Sequence, residues 1–157
     1  MQNGHGNLSL VRVLAAYGLW AIACGAQADE LFVRVVDNGQ KPVPDVAVFV
    51  RQQSSQRAKP ATAAMDQRDQ RFVPHLLIVQ KGAVVEFPNS DAVAHHVYSF
   101  SKPNNFELPL YKGSPPDPVL FQHEGIVTLG CNIHDSMLGY IVVVDTDVFA
   151  MLSLIHI

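Results

Sequence analysis

Cys131, His134 and Met137 stand three residues apart in the stretch Gly130-Cys131-Asn132-Ile133-His134-Asp135-Ser136-Met137. A thiolate, an imidazole and a thioether are the softer donors a protein can offer, and together they select copper over hard cations. One cysteine, two histidines and a weak axial methionine make a copper site for electron transfer, so a second histidine is required. Phe87-Pro88-Asn89-Ser90-Asp91-Ala92-Val93-Ala94-His95-His96-Val97 offers two, at the start of a run that reads as a β-strand. Neighbouring side chains of a strand point to opposite faces, so only one of His95 and His96 can be the buried ligand. Cysteine and histidine three apart also form half of many zinc sites, and those two residues alone do not choose the metal.

Such a site needs a rigid scaffold, because electron exchange is easiest when little rearranges as the charge changes. The sequence supplies strands. Leu31–Val36 and Val46–Val50 are β-branched runs separated by the turn-rich Asp37–Pro42, and Arg51–Ala64 reads as an exposed loop without apolar periodicity. Phe72–Val79, Ala83–Phe87, His95–Phe100, Val119–Phe121, Gly125–Leu129 and Tyr140–Val144 follow, each bounded by Gly, Pro, Asn or Asp. That rhythm is the rhythm of an antiparallel sandwich, and no later stretch has helical spacing over ten or more residues. Between Ser101 and Pro118 runs a long Pro-rich connection, with Phe106, Leu108, Leu110 and Tyr111 as its apolar anchors. A crossover of that length suits a Greek key. On this reading Cys131 closes the strand Gly125–Leu129, His134 and Met137 follow on a tight loop, and the upstream histidine staples that loop to the sandwich.

A chain of 157 residues, 48% apolar and 16% charged, has room for one domain with appendages. Its formal charge of −3 and its eleven scattered Lys and Arg argue against a nucleic-acid partner. Residues 1–28 read as a cleavable secretory leader, with Arg12, the apolar Val13–Ala23 and the small-residue site Ala26-Gln27-Ala28. The apolar segment is well short of the roughly 20 residues that span a bilayer. Ala21-Ile22-Ala23 before Cys24 is a poor lipid-attachment box, so no anchor is expected there. Cleavage near Ala28 leaves Cys131 as the one mature cysteine, in an oxidising periplasm and without a disulfide partner. A metal is its simplest occupant. The expected division is 29–64 for N-terminal strands and loop, 65–148 for the core, and 149–157 as a truncated or artefactual tail, with His156 outside every metal hypothesis.

Phe87-Pro88-Asn89, then His95, then Gly125-Ile-Val-Thr-Leu-Gly-Cys131-Asn-Ile-His134-Asp-Ser-Met137-Leu-Gly-Tyr-Ile141 resembles the signature of the small blue copper proteins, the cupredoxins. The short final loop and the five residues between Asn89 and His95 are similar to the amicyanin pattern, which assigns the first ligand to His95. A wider run through Met65-Asp-Gln, Phe72-Val-Pro-His75, His95–Ser101, Phe106–Gly113 and Gly130–Asp135 resembles plastocyanin-like bacterial proteins labelled methylamine utilisation protein. The resemblance covers roughly Leu31 to Val148. It implies an all-β, cupredoxin-like Greek-key sandwich, one type 1 copper ion on His95, Cys131, His134 and Met137, and single-electron exchange with redox partner proteins. His96 stands where cupredoxins often carry Asn or Ser to tie the ligand loops together, which leaves it open as an extra ligand or a proton-linked group. A family label does not fix a substrate pathway.

With Met137, Asn89 and His95 each in the place this pattern expects, copper is favoured over zinc. His75, His123 and Met65 lack partners at metal spacing and read as loop or core residues, as Tyr98 and Phe100 read as packing. Asp45, Asp91 and Asp135 form no evident catalytic pair, and no Ser, His and Asp set has a recognisable context, so an enzyme is not expected. Two other readings are a copper-binding or delivery protein of the envelope, and a structural domain that the metal merely stabilises.

Overall fold

Alternation of inward and outward side chains organises the chain. The computed structural model describes residues 32–51, 61–113 and 117–152, and the expected leader, with Cys24, lies outside them. Its strands, in chain order, are β1 (Val46–Phe49), β2 (Thr62–Ala64), β3 (Asp66–Arg68), β4 (Arg71–Val73), β5 (Leu76–Gln80) and β6 (Ala83–Glu86). They continue with β7 (His95–Ser99), β8 (Phe106–Tyr111), β9 (Val119–Phe121), β10 (Gly125–Cys131), β11 (Leu138–Val144) and β12 (Phe149–Leu152). No helix among the described residues is long and apolar enough to cross a membrane.

The larger sheet runs β5-β11-β10-β7-β8, parallel only between β5 and β11. A smaller sheet, β2-β6-β9, supplies the second layer, and β3-β4 and β1-β12 form two-stranded pairs. Val127, Leu129 and Cys131 of β10 point inward in alternation, as do Ile141 and Val143 of β11 and His95, Val97 and Ser99 of β7. They meet Ala83 and Val85 of β6 and Phe121 of β9 in one buried core with Phe72, Phe87 and Met137. The all-β sandwich expected from the strand rhythm is the observed architecture.

Several boundaries differ from the expectation. Phe72–Val79 is two strands, because Pro74 cannot donate to a ladder and the chain leaves one sheet for another there. Part of the Pro-rich connection is the strand β8, with Pro109 inside it; β8 is an edge strand with a register irregularity opposite His95 and Val97, which is where a sheet tolerates proline. Residues 52–60 of the expected loop lie outside the described residues, but its end is the strand β2. Val36 makes a single bridge to Pro42 in place of a strand, around a turn whose Gly39 and Lys41 amides donate to Asp37 Oδ1. Phe149–Leu152, set apart as tail, pairs with β1 in full register. A partner a hundred residues away leaves no local signal.

Gly139 shows how tightly the core is fitted near the metal loop. A Cβ there would lie 2.8 Å from the Cβ and 2.9 Å from the Cδ2 of Phe72, which is itself buried. Gly139→Ala should therefore destabilise the domain by about 1–3 kcal/mol through overpacking, read as a lowered denaturant midpoint at unchanged slope.

Candidate metal centre

Cys131 ends β10, paired through Val97 with the start of β7, so the register brings it beside His95. The chain then turns through Asn132 to Ser136, where the Met137 amide donates to the His134 carbonyl at 2.9 Å and closes the loop before β11 begins. This local turn is what returns His134 to the cysteine.

His95 Nδ1, Cys131 Sγ and His134 Nδ1 converge. The separations are 3.7 Å from Cys131 to His95, 3.9 Å from Cys131 to His134 and 3.2 Å between the two nitrogens. The point equidistant from the three atoms lies about 2.1 Å from each, the length of a metal–nitrogen or metal–thiolate bond. His95 and Cys131 are buried and His134 is partly exposed, with the two rings 5.0 Å apart. Lone-pair donors this close repel unless a cation or a proton shares the space between them. The three residues thus lie close enough together to form a type 1 copper site. Met137 is buried in the same core cluster as Cys131.

Asn89 and Asp91 brace the loop that carries His95. Asn89 Nδ2 donates to the carbonyls of Val93 and Tyr111, and its Oδ1 accepts from the Asp91 amide, bracing the loop before His95 against the end of β8. Asp91 Oδ2 accepts from the Gln70 amide and lies 3.0 Å from His95 Nε2. The Gln70 amide, and then the His95 hydrogen bond, hold the Asp91 carboxyl down at about 2. Neither role is legible in the sequence, where Asp91 stands at no recognisable metal or catalytic spacing. The one available signal was an Asn-Ser-Asp loop just ahead of a candidate ligand.

Behind this loop, Gln67 is fully buried, with Nε2 against the carbonyls of Phe87 and Pro88 and the hydroxyl of Tyr111. Tyr111 pairs with His95 across β7 and β8. Burial pushes its phenol up to about 12 from an ordinary value of 10.0, against the opposing pull of the Gln67 hydrogen bond. An acid raised in this way leaves stability unchanged below its unfolded value and lowers it as pH rises from about 10 towards 12. One of the four tyrosines should accordingly ionise late in an absorbance titration, coinciding with alkaline unfolding.

The remaining candidates lie apart from the donor triad. His96 is on the other face of β7, bonded to Glu107 Oε1 at 2.9 Å, and its ring begins a row with Tyr98 and Phe100 at 5.7 and 5.0 Å. Tyr98 lies against Gly130, whose Cβ would stand 2.8 Å from the phenol ring. His75 packs edge-on to Tyr140, Met65 is buried core, and His123 and Asp135 are exposed. Val93, Ile133 and Leu138, beside the ligand candidates in sequence, are apolar and exposed, Ile133 by 50% and Leu138 by 43%.

No protein-family model and no curated protein matches the sequence. Among solved structures the chain is similar to a copper-containing nitrite reductase from Thermus scotoductus SA-01, at 22% identity and a TM-score of 0.52 over 63% of this chain. It spans only 26% of that enzyme's chain. A purple cupredoxin from Nitrosopumilus maritimus aligns at 20% identity and a TM-score of 0.47, over 52% of this chain and 99% of the other. A reduced Cu(I) form of an amicyanin variant aligns at 22% identity and a TM-score of 0.48, over 62% and 98%. Likeness at such identity is a likeness of fold, and it agrees with the strand order and the shared core: this chain carries the cupredoxin-like Greek-key β-sandwich.

Proposed function

We propose that the protein holds one type 1 copper ion on His95, Cys131, His134 and Met137 and carries single electrons between redox partner proteins in the periplasm, without catalysing a reaction at the metal. The convergence of two imidazole nitrogens and one cysteine sulfur around a point at metal-bond distance supports this reading most directly. When bound, copper supplies a centre that accepts and returns one electron.

The chain's own residues do the rest. Cys131 supplies the thiolate through which the electron couples to the protein, and its burial keeps oxidants from the sulfur. His95 anchors the site to the sandwich and His134, partly exposed, gives the short way out to a partner. Met137 would offer the ion a thioether as a weak further donor, and the turn that returns its amide to His134 holds it beside the loop. Val93, Ile133 and Leu138 provide apolar surface on which a partner could dock without ordering charged side chains. A fixed scaffold limits reorganisation between oxidation states, which is what a carrier needs and a delivery protein does not.

Loading with Cu(II) should give an intense visible thiolate-to-copper band, a narrow copper hyperfine splitting in electron paramagnetic resonance, and a reversible one-electron couple by voltammetry. A colourless copper complex would sink the reading. Rapid loss of copper to a competing chelator with no reversible couple would favour copper delivery instead.

A further inference from the structure

The two nitrogens of His95 face different partners. Nδ1 is turned to Cys131 and His134, while Nε2 lies 3.0 Å from Asp91 Oδ2. An ionised carboxylate only accepts hydrogen bonds, so the ring proton resides on Nε2 and the lone pair on Nδ1 is presented to the metal point. Asp91 is itself fixed from three sides. Gln70, in the turn between β3 and β4, donates its amide to Oδ2 at 2.8 Å; Ala92 donates to Oδ1 at 2.7 Å; and the Asp91 amide donates to Asn89 Oδ1 at 3.0 Å. The His95 side chain is fully buried and that of Asp91 is 13% exposed, so the pair joins the buried ligand to the edge of the site.

We propose that Asp91 is a positioning residue for the metal centre: it locks His95 in the ligating orientation and, by its negative charge, biases the bound ion towards Cu(II). The inference rests on the copper reading above. Thiolate and carboxylate together carry two negative charges, which match the doubly charged oxidised ion and leave the reduced ion one charge short. Hydrogen-bonded directly to the buried ligand His95, the carboxylate brings that imbalance to the metal point. The electron gained or lost comes from, or goes to, a partner protein. A carboxylate on the far nitrogen also makes the imidazole a better donor, and removing such partners typically lowers metal affinity about 10–100-fold.

The test compares copper-loaded wild type with Asp91→Asn and Asp91→Ala. Asn retains an acceptor for the Nε2 proton but not the charge, so the Cu(I) to Cu(II) ratio at a fixed potential should rise about tenfold, 59 mV for a one-electron couple. Ala removes the acceptor as well, and Cu(II) affinity, measured by chelator competition, should fall about 10–100-fold with a changed paramagnetic resonance spectrum. A wild-type potential in Asp91→Asn overturns the charge effect, and wild-type affinity and spectrum in Asp91→Ala overturn the positioning. Should either variant fail to fold, nitrogen-15 spectra of the Cu(I)-loaded wild type decide: a slowly exchanging Nε2 proton on His95 supports the lock, and a rapidly exchanging one refutes it. Wild type without a visible band would instead defeat the copper reading, whereas a normal band with an unmoved Asp91→Asn potential defeats this inference alone.

Discussion

Cys131→Ser abolishes the visible thiolate-to-copper absorption of the loaded protein. The hydroxyl of serine is a harder, far weaker acid than a thiol, so it offers the metal point no soft anionic donor to go with the nitrogens of His95 and His134. The substitution is nearly isosteric at a buried position, which leaves the β10 to β7 pairing intact. The apo variant should therefore unfold near the wild-type midpoint while its copper complex is colourless and shows the wide hyperfine splitting of nitrogen and oxygen ligation. Absorption and paramagnetic resonance spectra of both proteins check this. A band that survives the change would place the sulfur donor elsewhere.

Phe72→Ala has the largest expected effect on stability. Phe72 is 2% exposed, sits in the shared core and packs on Gly139, the second residue of β11 and two residues after Met137. Truncating a buried phenylalanine costs about 3–5 kcal/mol, out of the roughly 5–15 kcal/mol by which a domain is stable. Gly139 cannot be used to fill the space, because the Cβ that alanine retains at position 72 is the nearest atom a methyl there would meet. Urea denaturation should show a sharply lowered midpoint. A shift under about 1 kcal/mol would mean that the core relaxes around the gap.

Strand rhythm made the sandwich legible because half-buried strands write their two faces into alternate residues, as Val127, Leu129 and Cys131 do. The same property made β8 hard to read: on an edge, with Pro109 at an irregular register, it has no complete alternation. β12 was illegible for another reason, since Phe149–Leu152 becomes a strand only by pairing with Val46–Phe49. Within the candidate site, the spacing of Cys131 and His134 reflects a turn that is local in sequence. The contribution of His95 depends on pairing between β7 and β10, which no local pattern encodes.

The sequence by itself determined the donor types, their order along the chain and the all-β scaffold, because turn chemistry and side-chain periodicity act over a few residues. Only the tertiary structure decided that His95 and not His96 faces Cys131, and that Asp91 stands on its far nitrogen. One residue of register turns a strand's side chain from core to solvent, and a carboxylate four positions from a histidine meets it only when the loop between them is folded back.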